Sequence, residues 1–504
     1  NCNFTSNKAL GTSSYGGAIY FDSTCTAQVS IKGTEMKKNS AIDGNALYLP
    51  SSLREFHIDD CTLLNNGNLN STIYTFCPTL LIENSEIGFS KYELKCRAIR
   101  IYTTCSFTIR NCNISNCDGQ EAGGGVTGAT NQAGHGGGIY YKVDSSIRTV
   151  RSAEENIVIE DVIFTNCKGS NGAACMIHPT TSNFIFNRNT IQDCRCGKFI
   201  FVIITQTFVE NFNINDCTFK HNLMNNPVGS EDGGGSGMWI ANDKNKIPQG
   251  SYTHLTFTNC QWLENQASTC GGAFAYGQSL TIKNTAITFD SCQFYDNVAK
   301  NKEGGAIWIN TSVPFLINNC KFYRNKAKGD SPIGGAITVA ASAPQINIRS
   351  CYFENNEARD GNAIYVRYTT QDMNITDCTF QNNGLYGAIV ANEAKSICVD
   401  SSYFQFDSTA NACRGIHFVS RTNALVRDSH FRNCRTTESA GGGGIFYSNT
   451  LGNNEDDELL TIEGCFFNNT QAPNGCALLT WLETPIILRN NLFWYNTFGK
   501  FIIA

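Results

Sequence analysis

The sequence predicts an all-β fold, a right-handed parallel β-helix that winds as a solenoid of about seventeen coils. Three observations lead there. A nine-residue motif recurs along the 504 residues, mostly at steps of 24 to 32. Apolar and polar residues alternate with a period of two on both sides of its centre, which marks strands rather than helices. A second short signal, glycines followed by Ala-Ile, recurs between copies of the first, as in Gly304-Gly-Ala-Ile307. A repeat this short cannot bury its own apolar face, but stacked on copies of itself it can.

The motif reads apolar, two residues, a small anchor, one residue, an aromatic, two residues, then Asn; Ile317, Cys320, Phe322 and Asn325 form one copy. Anchors fall at 2, 34, 61, 85, 112, 162, 189, 217, 260, 292, 320, 351, 378, 402, 429, 465 and 491. Three positions before the anchor every available residue is apolar, from Ile31 to Leu488. Ten anchors are Cys, among them the run Cys260, Cys292, Cys320, Cys351 and Cys378. Two positions later twelve of seventeen residues are aromatic. Five positions after the anchor ten are Asn, including Asn265, Asn297, Asn325, Asn356 and Asn383, while Cys117, Cys167, Cys194 and Cys434 fill four other coils.

Stacked in parallel about 4.8 Å apart, these columns become internal ladders. Asn suits the bend after the aromatic because its amide can bond to neighbours above and below. The residue before the anchor is often Asn or Asp (Asp60, Asn111, Asp161, Asn319, Asp377), as at a turn that tolerates left-handed backbone. The ladder thiols are expected to stay free and to pack as small apolar groups. Strand spacing holds parallel side chains slightly too far apart for a disulfide. Cys77 and Cys105, eight and seven residues before their next anchors in adjacent coils, are the first choice for a bridge.

Composition narrows the function classes. Net charge is −5, without a basic run, so no nucleic-acid partner is expected. The longest strongly apolar run, Phe199 to Ile204, is far too short to span a bilayer. Twenty-four cysteines favour a secreted protein. The chain is expected to be one β-helix domain over 1–504 and a fragment of a longer protein, since it opens in mid-repeat. Both ends break off in strand-like sequence, which would allow end-to-end self-association.

The paired Phe-x-x-Asn and Gly-Gly-Ala-Ile motifs resemble the repeats of chlamydial polymorphic outer-membrane proteins and of similar protist surface proteins. The residues that carry the likeness are Phe4 to Asn7 with Gly16 to Ile19, Phe294 to Asn297 with Gly304 to Ile307, and Phe322 to Asn325 with Gly334 to Ile337. The resemblance implies a β-helical segment exposed at a cell surface, adhesive or structural, that binds surface proteins or glycans.

No catalytic, metal or cofactor site is expected. The alternative, a carbohydrate-active β-helix enzyme, would need convergent carboxylates on neighbouring coils. The Asp residues before the anchors alternate with Asn and Ser instead. The acidic run Glu455 to Glu458 lacks the ligand spacing of a Ca²⁺ loop, and no His lies at Zn²⁺ spacing with another ligand. Six sequons mark glycosylation candidates: Asn3, Asn70, Asn113, Asn310, Asn374 and Asn468. Long insertions at 118–135, 142–156, 223–235, 242–251 and 448–458 are where binding is expected to concentrate, because loops on a rigid scaffold carry function.

Overall fold

The computed structural model describes residues 1–67, 69–90, 96–102, 106–119, 136–142, 156–170, 172–178, 183–197, 201–205, 211–225, 238–242, 253–276, 285–310, 313–367, 372–384, 386–392, 394–407, 414–419, 423–436, 441–448, 459–481, 485–497 and 500–503. The chain divides into two compact units. The first holds Asn1–Pro227, Ser236–His254 and Leu280–Asn284; the second holds Val228–Gly235, Leu255–Ser279 and Thr285–Ala504. Among the described residues all regular structure is strand and no helix occurs. Among the described residues no helix is long and apolar enough to cross a membrane, which says nothing of a β-barrel.

Each unit is a parallel β-solenoid. A coil begins with an entry strand of four to six residues, such as Gln345–Arg349, turns a corner, and runs into a three-residue anchor strand such as Tyr352–Glu354. Among the described residues the first unit carries eight anchor strands and the second nine. The Gly-Gly-Ala-Ile segments lead into a further sheet, in which Ile307–Ile309, Ile337–Val339 and Ile364–Val366 pair in register. Two glycines are required at this entry. Gly304 sits at φ 66°, left-handed backbone that favours glycine. A Cβ on Gly305 would run into the carbonyl of Gly335 in the next coil.

The corner before the anchor is left-handed, as expected: Asp60, Asn111, Asp161, Asn319 and Asp377 lie between φ 51° and 55°. A second corner, just before the Asn column, is equally left-handed and was not anticipated. Lys38, Glu264, Arg324 and Tyr495 occupy it at φ 50° to 56°. Asn or Asp fills the same corner in most other coils, as at Asn65, Asn116, Asp193, Asp296, Asn355 and Asn382, so the composition carries the same signal as at the first corner. Lys, Glu, Arg and Tyr rarely adopt this conformation. The two flanking strands and their ladders impose it.

The ladders form in the expected register. In the second unit Trp262, Phe294, Phe322, Phe353, Phe380, Phe404, Phe431, Phe467 and Phe493 stack face to face with centroids 4.6 to 5.0 Å apart and planes within 9°. Strand pitch, not ring preference, sets this face-on geometry, since free aromatic pairs favour offset or edge contacts. Each fully buried ring contributes about 1.5–3 kcal/mol through burial. Beside them Asn265, Asn297, Asn325, Asn356 and Asn383 are fully buried and bonded to one another along the column. The Asn325 Oδ1 accepts from the Asn297 amide at 3.1 Å and from its Nδ2 at 3.0 Å. The Asn325 Nδ2 donates back to the Phe294 carbonyl at 2.9 Å.

One expectation is corrected. The anchor thiols do not pack only as apolar groups; they bridge coils by hydrogen bonds. Cys320 Sγ lies 3.1 Å from the Asn318 carbonyl and 3.5 Å from the Phe289 carbonyl, and receives the Cys292 amide at 3.3 Å. Other polar anchors do the same. Ser85 Oγ receives the Cys61 amide at 3.1 Å, and Asn189 Oδ1 the Val162 amide at 2.9 Å. Outside Val162, the buried anchors are therefore side chains that both donate and accept, because the corner leaves an inward amide that needs a partner.

Candidate functional site

The Asn and polar anchor side chains are engaged in the ladders, which leaves the outward faces and the glycine-flanked sheets to carry chemistry. The last residue of each entry strand points out, and in the first unit these residues form a charged row. Lys32 pairs in register with Asp59, Asp59 with Glu83, Glu83 with Arg110, and Arg110 with Glu160. The Lys32 ammonium lies 2.6 Å from Asp59 and the Arg110 guanidinium 2.6 Å from Glu83. Both carboxyls are held below the usual carboxylate range, Asp59 by Lys32 and then Asn84, Glu83 by Arg110. In the second unit Arg427 does the same to Asp400 at 2.6 Å. The sequence reading missed this row, although the signal was present as charges of both signs two positions before successive anchors.

His57 joins the row, with Nε2 2.9 Å from Glu83. The ligand atoms of His57, Asp59 and Glu83 lie within 4.8 Å of one another, close enough to hold a cation. Lys32 and Arg110 already neutralise the two carboxylates. A metal ion would have to displace both, so the cluster reads as an ion-pair network. The Asp residues before the anchors are likewise dispersed. Asp161 is clasped by Arg188 at 2.7 Å, and Asn319 Nδ2 bonds to Ser291 at 3.2 Å.

Two buried polar groupings lie on the glycine-flanked sheets. In the first unit Asp43 bonds to Arg100 Nη1 at 2.5 Å across two coils, and Arg100 lies over the Tyr74 ring at 4.8 Å. Burial pushes the Asp43 carboxyl up, against the pull of Arg100. In the second unit His417 Nε2 lies 2.9 Å from Ser448 Oγ, the pairing a serine nucleophile needs. The third member is wrong for that chemistry. Arg414 Nη1 approaches Nδ1 at 3.4 Å, and a guanidinium only donates, so Nε2 carries the proton and donates to Ser448. Burial, with Arg414 adding repulsion, pushes the His417 pKa down to about 3. An imidazole so held cannot take the serine proton in the ground state.

The sequence candidates fall as follows. Asn3 and Asn113 are exposed on anchor strands; the Asn3 amide bonds to Glu35, and Asn113 stands beside Ser115 on the outer face. Asn374 faces out between coils and bonds to Asn347 at 3.0 Å. Asn468 ends an anchor strand and Asn310 follows a glycine-flanked one; both are half-buried. Asn70 differs: its backbone is left-handed and its Nδ2 is committed to the Ile42 carbonyl at 2.8 Å. Cys77 is buried as a free thiol that bonds to the Leu53 and Thr79 carbonyls, while Cys105 lies outside the described residues. The insertions at 118–135, 142–156, 223–235, 242–251 and 448–458 also lie outside them, apart from residues at their edges, and so does the run Glu455 to Glu458. Burial pushes the thiols of Cys112 and Cys465 up to about 11 and about 12, which keeps them protonated and unreactive.

Comparison with known proteins agrees with this geometry. A family model described as right handed beta helix region matches residues 233–371 and 362–504. Among curated proteins, the metabotropic glutamate receptor-like protein R of Dictyostelium discoideum is 25% identical over 243 residues. That alignment covers 48% of this chain and 12% of that protein, so the chain spans only a small part of the relative's length. No solved structure matches significantly.

Proposed function

Because the chain belongs to the right-handed β-helix family, we propose that it is a structural and adhesive segment of an extracellular or cell-surface protein, and that it binds surface proteins or glycans rather than transforming them. One observation carries this reading. Among the described residues four acids of the outward row are each held by Lys or Arg, Asp59 by Lys32, Glu83 by Arg110, Glu160 by Arg188 and Asp400 by Arg427, while Asp290 is bonded to Asn318 and Ser291. A polysaccharide lyase or hydrolase needs the opposite, carboxylates left uncompensated around a bond to be broken. The likeness to repeats of polymorphic outer-membrane and protist surface proteins supports the same reading. So does the receptor-like relative, though only as the company this repeat keeps.

The test has two arms. Antibody against the purified chain should label intact cells of the source organism, and external protease should remove the label; labelling only after permeabilisation would sink the surface assignment. Incubation with a panel of acidic and neutral polysaccharides should yield no new reducing ends. Cleavage that disappears with Asp161→Asn or Asp377→Asn would replace this reading with the carbohydrate-active enzyme.

A further inference from the structure

We infer that the outward face of the anchor sheet in the second unit binds a neutral saccharide chain, through Tyr295, Tyr323, Tyr352 and Tyr403 together with Gln381 and Gln405. The inference deepens the proposed adhesive function and rests on it.

Outward residues of an anchor strand are its first and third, because the second enters the aromatic ladder. In the second unit the third positions run Tyr295, Tyr323, Glu354, Gln381, Gln405 in register. The first positions run Gln293, Lys321, Tyr352, Thr379, Tyr403. Tyr295 and Tyr323 stack at 5.0 Å, and Tyr323 meets Tyr352 at 5.3 Å. Tyr403 is 49% exposed, and the other three tyrosines are half-buried. The same face of the first unit is an internal control. It carries Thr62, Glu86, Asn113, Thr190 and Thr218 at first positions and no outward ring. The shared fold therefore does not demand tyrosine here.

The chemistry of the row selects the ligand. Phenol and carboxamide groups both donate and accept, which matches the hydroxyls of a sugar. The Tyr352 hydroxyl lies 2.6 Å from Gln381 Oε1 and 3.1 Å from Glu354 Oε2, so these groups are already oriented across neighbouring coils. Burial raises the Tyr295, Tyr323 and Tyr352 phenols, which keeps them neutral. Lys321 and Glu354 have opposite charges, so the row has no net field to draw in an anion. Rings give way to amides along the same column. From Tyr323 to Gln405 the face is therefore mixed rather than apolar, unlike a buried protein interface; the more apolar run of the first column, His430, Phe466 and Leu492, lies beyond Tyr403. A linear sugar polymer can lie along the row with its ring faces and edges against tyrosine and its hydroxyls on the amides, in the mixed aromatic and polar manner of ligand sites.

The test uses the full chain and measures binding of cello-, xylo-, manno- and chito-hexaose, with hyaluronan and heparin oligosaccharides as anionic probes. At least one neutral hexaose should bind. The Tyr323→Ala/Tyr352→Ala variant should weaken it by about tenfold or more, while Thr190→Ala/Thr218→Ala in the first unit should not. Tyr323→Phe keeps the ring packing, and it should lower affinity less than the alanine change with the same far-ultraviolet circular dichroism. Neutral binding unaffected by the tyrosine variants overturns this site but leaves the adhesive reading standing. Binding of anionic probes alone overturns the ligand class. A change of oligomeric state in the tyrosine variants would assign the face to a second copy instead. Failure of every probe, together with failure to label intact cells, removes both readings.

Discussion

The amide of Cys292 donates to the sulfur of Cys320, 3.3 Å away across one coil step. The same sulfur lies 3.1 Å from the carbonyl of Asn318, so the thiol both receives and donates. Serine does this at Ser402, whose Oγ receives the Cys378 amide at 3.2 Å. Cys320→Ser should therefore lower stability by less than about 1 kcal/mol. Cys320→Ala leaves a buried amide unpaired and should cost about 1–3 kcal/mol. Chemical denaturation of the three proteins checks this. Equal loss in both variants would return the anchor to simple packing.

Asn325 serves three partners, so its loss should be costlier. Asn325→Leu strands the Asn297 amide and the Phe294 carbonyl, both buried. The expected loss is about 2–4 kcal/mol, one to two desolvation penalties. Substitution at Asn113, outward in the first unit, should move the transition by no more than about 0.5 kcal/mol.

The anchor cysteines should react as free thiols once the chain is unfolded. Every described cysteine is a free thiol, and those at 260, 292, 320, 351 and 378 are no more than 2% exposed. Labelling of the denatured, unreduced protein followed by peptide mapping should find these five modified. Their recovery as disulfides would mean that strand pitch does not keep them apart.

His417 makes acid stability asymmetric. Its pKa is pushed down to about 3 from 6.5, so the unfolded chain binds the proton first. Stability from the neutral imidazole is present above 6.5 and is lost as pH falls from 6.5 toward 3. His417→Phe, which keeps a ring against Phe446, should flatten the decline of the melting temperature over that range. An unchanged slope would place the acid sensitivity elsewhere.

If the chain passes through a glycosylating compartment, Asn113 should be occupied and Asn70 bare. Asn113 is exposed beside Ser115, whereas the Asn70 amide nitrogen is bonded to the Ile42 carbonyl at 2.8 Å. Glycopeptide mapping checks both, and a glycan on Asn70 with Asn113 bare would contradict the orientation of these strands.

The sequence by itself determined the fold, the register of the aromatic and Asn ladders, and the left-handed corner at Asp60, Asn319 and Asp377. Each of these is local or strictly periodic: a side chain at a fixed offset from its anchor meets its own copy one coil away, whichever coil that is. The tertiary structure decided what depends on the identity of the neighbour. Only stacking shows that Arg100 reaches two coils to Asp43 and that His417 meets Ser448. It also decided that Lys38, Glu264 and Tyr495 keep the left-handed backbone of the second corner, where most other coils have Asn or Asp. Partners 25 to 60 residues apart are set by the length of the intervening loops, and loop length carries no periodicity from which a pairing could be read.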